Sequence, residues 1–131
     1  PYWVNCLPVT LISLALIECF VFGLLVGRAR GRFGIAAPAM TGHPDFERIN
    51  RVHQNSLEQL VLFVPAVWIF ATTVDARVAA ALGLVFVIGR LVYARGYIQE
   101  ASKRSTGTAI SGLAQLVLLL GAAIGSLLVA L

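Results

Sequence analysis

Charged residues are scarce in this sequence. They make up 12% of its 131 residues, whereas 59% are hydrophobic, and the mean hydropathy is +0.87. A soluble globular domain is about half apolar and about a quarter charged. The composition therefore excludes an ordinary water-soluble domain, and we interpret the chain as an integral membrane protein.

Cysteine is scarce too. The two cysteines, Cys6 and Cys19, are thirteen residues apart, with no CxxC motif and no histidine at metal-ligand spacing. Disulfide frameworks and zinc sites usually show spacings of that kind, which this sequence lacks. We therefore expect no metal site and interpret both cysteines as packing residues. The first apolar segment also has no basic leader, so we do not interpret it as a cleaved signal peptide.

Long apolar runs are what the sequence has instead. Four of them approach or exceed the ~20 residues that cross a hydrocarbon core about 30 Å thick. Because irregular backbone cannot face lipid, we predict an all-α integral membrane protein. The expected fold is an antiparallel bundle of four transmembrane helices, with residues 1–131 as a single domain. The runs are Val4–Val26, Leu57–Val74, Val78–Val92 and Ala109–Leu131.

Proline and glycine set the expected helix boundaries. Pro44 suits the first turn of helix two, which should continue to Val74, and helix three should continue past Tyr97 toward Ser102. The expected connections are a loop at Arg28–Gly42, a tight turn at Asp75–Arg77 and a turn around Gly107 at Thr106–Thr108.

Basic residues gather on one side of the predicted bundle. Nine of the ten belong to the first and third connections and to the helix ends beside them, and only Arg77 lies in the second. The positive-inside rule assigns such a face to the cytoplasm, so we expect both termini on the opposite side. A basic rim suits membrane lipid as a partner, and we do not expect nucleic acid.

Two stripes of polar side chains are predicted at this basic face. Residues 51, 55 and 58 recur at i, i+4 and i+7, so they share one face of helix two. Polar groups at membrane depth usually face a bundle interior or a polar ligand. The first stripe is Arg51, Asn55 and Glu58, and the second, on helix three and its extension, is Arg90, Tyr93, Tyr97, Glu100 and Arg104. Because the two helices are antiparallel neighbours, the stripes can converge.

The chemistry of these stripes complements a small acidic peptide. Arginine binds carboxylates through paired hydrogen bonds, and Glu58 would accept from an ammonium group. Glutathione fits this description, as do other acidic amides. The alternative is a solvated helix end, because Glu47 and Arg51, like Glu100 and Arg104, have the spacing of ion pairs along one helix.

Two further polar residues are of interest. Glu18 lies within helix one and should be neutral or paired with a polar group of another helix, for which Gln115 on helix four is a candidate. We interpret this role as structural. His53 lies near the predicted site and is interpreted as a rim or packing residue, with catalysis as the alternative.

The sequence resembles the MAPEG family, the membrane-associated proteins in eicosanoid and glutathione metabolism. The resemblance covers most of the chain and is strongest in FERINRVHQNSLEQLVLFVPAVW (Phe46–Trp68), which contains the core E-R-x-x-R-x-x-x-N-x-x-E. A second match is RLVYARGYIQEASKR (Arg90–Arg104), where Y-x-x-x-Y is followed by an arginine seven positions later.

This resemblance implies a homotrimer of four-helix protomers, with glutathione as co-substrate between neighbouring subunits near the cytosolic face. It implies that Arg104 stabilises the thiolate and that Ser105, matching a serine in one branch of the family, contacts the sulfur. The implied glutathione contacts are Arg51, Asn55, Glu58, Tyr93 and Tyr97, with Arg30 from a neighbouring subunit.

The sequence departs from the family pattern at three positions. Gly31, His53 and Gln59 stand where one branch of the family has arginine, glutamine and tyrosine. These changes leave the implied glutathione contacts largely intact but leave eicosanoid specificity open. The absence of eukaryotic retention signals and the short C-terminus favour a bacterial inner-membrane protein.

We therefore expect a membrane-bound glutathione transferase that acts on lipophilic electrophiles, with glutathione-dependent peroxidase activity as a related activity. Two alternatives stay open. One is a non-catalytic, lipid-binding scaffold of the same family. The other is a small four-helix multidrug transporter, which also carries a glutamate in its first helix, as Glu18 is here, but which leaves the arginines of the two stripes unexplained.

Overall fold

The structure, a computed structural model, describes all residues from 1 to 131. Each of its four long α-helices is long and apolar enough to cross a membrane, and the chain forms no strand. The all-α, four-helix membrane fold is therefore confirmed. The helices are α1 (Tyr2–Phe33), α2 (Pro44–Thr73), α3 (Ala76–Gln99) and α4 (Ser105–Ala130), with a short 3₁₀ helix at Ala101–Arg104 before α4.

The first connection is shorter than predicted. The expected loop at Arg28–Gly42 was wrong at its start, because α1 continues through the arginines to Phe33. The helix ends where Gly34 adopts a left-handed conformation, with φ of 66°, and its N–H bonds the Arg30 carbonyl. Glycine takes this conformation without the steric penalty of a side chain, so it commonly terminates helices.

Capping residues fix two of the predicted boundaries. α2 begins at Pro44 as expected, and the His43 side chain accepts a hydrogen bond from the Asp45 N–H at 3.1 Å. A tight turn between α2 and α3 is confirmed, but it lies at Val74 and Asp75 rather than at Asp75–Arg77, because α3 already begins at Ala76. There the Asp75 carboxylate accepts from the Val78 N–H at 2.9 Å, which satisfies one of the free donors of the first turn.

The connection between α3 and α4 differs from the prediction. Glu100 is extended, with φ of −160° and ψ of 131°, so α3 stops before Ser102. The turn expected at Thr106–Thr108 was wrong, because those residues already belong to α4. Gly107 lies instead at a close helix contact, where a side chain would collide with the backbone of Tyr93.

Aromatic and small residues pack the centre of the bundle. Phe63 on α2 and Phe86 on α3 are fully buried and stack with ring centroids 4.0 Å apart. Gly121 and Gly125 of α4 face α2, where an added side chain would meet Phe70 or the end of the helix. Small residues at such positions let membrane helices approach closely.

The bundle has two different ends. We call the "turn end" the end where α2 passes into α3 and where both termini lie. We call the "arginine end" the opposite end, where α1 and α3 finish and α2 and α4 begin. Nine of the ten basic residues lie nearer the arginine end, in the connections there or in the halves of the helices beside them. Only Arg77 lies at the turn end.

Candidate functional site at the arginine end

Asn55 on α2 and Tyr93 on α3 contact each other directly. The Asn55 Nδ2 donates to the Tyr93 hydroxyl at 2.5 Å. Tyr93 is buried and Asn55 is half-buried, so this bond links the two helices below the surface. Tyr97 follows one turn later on α3, and its ring centroid lies 5.5 Å from that of Tyr93. The structure therefore brings together residues from both polar stripes.

Arg51 and Tyr97 line the same open groove. This groove has a volume of about 370 Å³ and lies between the start of α2, the loop before it and the end of α3. Glu47 and Gln54 contribute polar side chains to its wall, and Met40 contributes from the loop. A groove of this size and polarity can hold part of a small polar ligand.

Arg104 is the last residue of the 3₁₀ helix, and its side chain lies over the ring of Tyr97. Its guanidinium carbon lies 5.7 Å from the centroid of the Tyr97 ring, and its Nη1 donates to the Ala101 carbonyl at 3.5 Å. Ser105, the first residue of α4, follows it, and both side chains are exposed. A cation is thus placed over the aromatic face that borders the groove.

Glu58 and Arg30 lie apart from this group in the single chain. Glu58 is exposed on α2, one turn beyond Asn55, and makes no hydrogen bond or ion pair within the chain. Arg30, at the end of α1, donates to the Ala39 carbonyl at 2.7 Å and lies 5.0 Å from the centroid of the Phe46 ring. Neither residue makes a hydrogen bond or an ion pair with the other predicted site residues.

The helix-surface ion pairs considered as an alternative do not form. Glu47 does not pair with Arg51, nor Glu100 with Arg104, and the single ion pair of the chain joins Arg48 to Asp45. The guanidinium groups of Arg51 and Arg104 therefore have no carboxylate partner in the chain.

The sequence pattern does not predict a role for Arg48 at the site. Besides its ion pair with Asp45, its Nε donates to the Ile98 carbonyl at 3.2 Å and so ties α2 to the end of α3. The spacing of Asp45 and Arg48 could have indicated the ion pair, but no sequence signal indicates the contact with α3. Arg48 supports one wall of the groove.

Arg90 does not extend the open stripe as predicted. Its side chain is turned into the bundle, where Nη2 donates to the Ser56 hydroxyl at 2.8 Å. The guanidinium carbon lies 3.9 Å from the centroid of the Tyr93 ring. Arg90 therefore lies behind the candidate site rather than in it.

The partner suggested for Glu18 was wrong. Gln115 donates from Nε2 to the carbonyl of Gln59 at 3.2 Å and to its Oε1 at 3.0 Å, and it does not reach Glu18. His53 lies against α1 at Gly23, where its Nε2 would be 3.2 Å from an added side chain. This contact supports the packing interpretation of His53.

A bundle of four helices long and apolar enough to span a membrane, with a polar groove at its basic end, places the chain among the four-helix integral membrane proteins. Within that class the assignment is specific. Residues 8–124 match the MAPEG family, and the chain belongs to that family.

Three relatives illustrate the range of this similarity. An uncharacterised protein of Synechocystis is 45% identical over 115 residues, which cover 88% of this chain and 84% of the relative. Human microsomal glutathione S-transferase 2 is 41% identical over 102 residues, 77% of this chain and 69% of the relative. Leukotriene C4 synthase of Bos taurus is 36% identical over 119 residues, 91% of this chain and 78% of the relative.

Proposed function

We propose that the protein is a membrane-bound glutathione transferase that uses glutathione as co-substrate. The observation that carries the proposal is the junction of α2 and α3 at the arginine end. There Asn55, Tyr93 and Tyr97 meet, and the guanidinium groups of Arg51 and Arg104 lie beside them without carboxylate partners. Glutathione supplies the carboxylates and amides that such groups bind.

Each polar group has a role that follows from its chemistry. Arg51 holds one glutathione carboxylate through paired hydrogen bonds, and Glu58 accepts from the amino group. Asn55 bonds a peptide amide, since its carboxamide oxygen is not used by the bond to the Tyr93 hydroxyl. The rings of Tyr93 and Tyr97 pack against the peptide.

A homotrimer completes the site in this proposal. Arg30 lies at the end of α1 and makes no hydrogen bond or ion pair with the other site residues of its own chain. In the trimer it reaches glutathione bound to the neighbouring subunit, and the whole chain acts as one domain. The site faces the cytoplasm of a bacterial inner membrane, with both termini on the other side, as the distribution of basic residues favours.

Arg104 is the residue that we propose activates the sulfur, with Ser105 as a hydrogen-bond donor beside it. A free thiol has a pKa of about 8.5, and a cation next to it lowers this pKa by one or more units. The thiol proton leaves to solvent, and the thiolate forms a carbon–sulfur bond with a lipophilic electrophile. The leaving group departs with its electron pair. Holding both reactants together supplies further acceleration.

The experiment is a conjugation assay with full-length protein in detergent, using glutathione and an activated aryl halide. The wild type should form the conjugate faster than the uncatalysed reaction. Arg104→Ala should lose about ten- to a hundredfold in rate, as expected for a thiol pKa raised by one or two units. Arg95→Ala, which removes an exposed arginine of α3, is the matched control and should keep full activity.

Two further readouts separate the alternatives. Ultraviolet absorbance on adding glutathione reports the thiolate directly, and an Arg104→Ala protein with undiminished thiolate would refute the assigned role. A parallel assay with a fatty-acid hydroperoxide tests for peroxidase activity. Tight glutathione binding without turnover in either assay would instead favour the lipid-binding scaffold.

A further inference from the structure

Glu18 and Arg90 are the two charged residues that the bundle buries. Glu18 on α1 is 8% exposed and Arg90 on α3 is 4% exposed, whereas every other Asp, Glu, Lys and Arg is at least partly exposed. Burying one ion inside a membrane protein is unfavourable unless an opposite charge or polar partners lie close to it. The two buried charges have opposite signs.

The parallel course of α1 and α3 places the two residues at the same level of the bundle. Glu18 lines a small intramembrane groove with Val87, which lies one turn before Arg90. Phe22, one turn after Glu18, packs in the same cluster as Tyr93, which lies one turn after Arg90. No ion pair joins the two side chains, but these shared neighbours place the carboxyl and guanidinium groups at the same level of the bundle.

Arg90 in turn contacts the candidate site through Tyr93. Its guanidinium group lies over one face of the Tyr93 ring and is bonded to Ser56 on α2. The hydroxyl of the same ring accepts from Asn55. The ring of Tyr93 is therefore held on its face by Arg90 and at its tip by Asn55.

We propose that Glu18 and Arg90 are positioning residues for the glutathione site, an inference that rests on the function proposed above. Glu18 supplies the counter-charge that keeps Arg90 turned inward, and Arg90 fixes the Tyr93 ring so that its hydroxyl meets Asn55 before glutathione arrives. The Glu18 Oε2 and the Arg90 Nε are buried without hydrogen-bond partners, and a neighbouring opposite charge offsets part of the cost of burying such groups. A site held ready in this way loses less freedom on binding.

The first test needs no glutathione. The 131-residue chain has three tyrosines, so labelling it with tyrosine that carries ¹³C only at the hydroxyl-bearing ring carbon gives three NMR signals, which Tyr2→Phe and Tyr97→Phe assign. Glu18→Gln and Arg90→Lys should each move the Tyr93 signal and leave that of Tyr2 in place. Arg95→Lys, the exposed control on α3, should move neither. A Tyr93 signal unchanged in Glu18→Gln or in Arg90→Lys would overturn the proposal.

The second test measures glutathione affinity in a double-mutant cycle. Glu18→Gln and Arg90→Met should each raise the Kd about five- to tenfold, and the double variant should lose less than the product of the two, because it leaves no uncompensated buried ion. Independent effects of the two substitutions would overturn the counter-charge role of Glu18. A wild type that binds no glutathione would defeat the proposed function, whereas the NMR test would still decide the pairing of Glu18 with Arg90 and Tyr93.

Discussion

The two ends of the bundle are connected in opposite ways. At the turn end, a tight turn capped by Asp75 joins α2 to α3, and α4 approaches α2 closely through Gly121 and Gly125. At the arginine end, a loop of residues 34–43 joins α1 to α2, and the extended Glu100 ends α3 before the 3₁₀ helix, while α3 and α4 still meet closely at Gly107. Close packing of α2 against α4 at one end is thus combined with a polar groove between α2 and α3 at the other.

Loss of the stacked pair Phe63 and Phe86 at the centre of the bundle should have the largest effect on stability. Phe63→Ala should lower the free energy of unfolding by about 3–5 kcal/mol, because the cavity cannot refill completely. Thermal unfolding in detergent measures this loss. Trp68→Ala, at a side chain 60% exposed on the same helix, is the control and should have a much smaller effect. Equal losses in the two variants would contradict the packing described for the bundle centre.

Gly107→Ala should have the next largest effect, and it should act at the arginine end. The added methyl group meets the backbone of Tyr93, so α3 and α4 must separate, at about 1–3 kcal/mol. Gly112→Ala on the same helix meets nothing within 4 Å and should be neutral or stabilising. The free energy of unfolding and the affinity for glutathione should both fall in Gly107→Ala and stay unchanged or, for stability, rise in Gly112→Ala. A Gly107→Ala protein that matches Gly112→Ala would show that the helices do not meet there.

Asp75→Ala should affect the turn end and leave the arginine end unchanged. Loss of the cap at Val78 should cost about 1 kcal/mol of stability and leave glutathione affinity unchanged, because the turn lies at the end opposite the groove. The comparison variant is Asp45→Ala at the start of α2, which breaks the ion pair with Arg48 beside the groove. A change in glutathione affinity in Asp75→Ala would mean that the ends are coupled.

Tyr93→Phe should have the smallest effect on stability and a clear effect on binding. It removes the acceptor of Asn55, so stability should fall by about 0.5–1 kcal/mol. Glutathione affinity, measured by calorimetry, should fall about threefold to tenfold. Tyr2→Phe, at an exposed position, should change neither. Unchanged binding in Tyr93→Phe would remove Tyr93 from the proposed contacts.

The turn end could be predicted from the sequence almost completely. Long apolar runs can only cross a membrane as helices or closed barrels, and Asp75 is a residue type that caps helices. Pro44 marked the start of α2 for a similar reason, since proline fits the first turn of a helix. These features depend on residues near one another in the chain.

The arginine end could be predicted only in part. The stripe Arg51–Glu58 follows from helical spacing, but the break at Glu100 does not, because periodicity assumes an uninterrupted helix. Gly107 fits the sequence pattern of a turn, but glycine also occurs where two helix backbones approach too closely for a side chain, and the structure shows that second use. The inward turn of Arg90 depends on Ser56 of another helix, and helical spacing alone does not fix such tertiary contacts.

Equilibrium binding of glutathione by the protein in detergent decides whether α2 and α3 form its binding site. The wild type should bind glutathione, and Arg51→Met and Arg104→Met should each weaken binding by about tenfold or more. Arg95→Met should bind as the wild type does. Absence of wild-type binding, or equal affinity in all four proteins, would contradict the claim that α2 and α3 form a glutathione site.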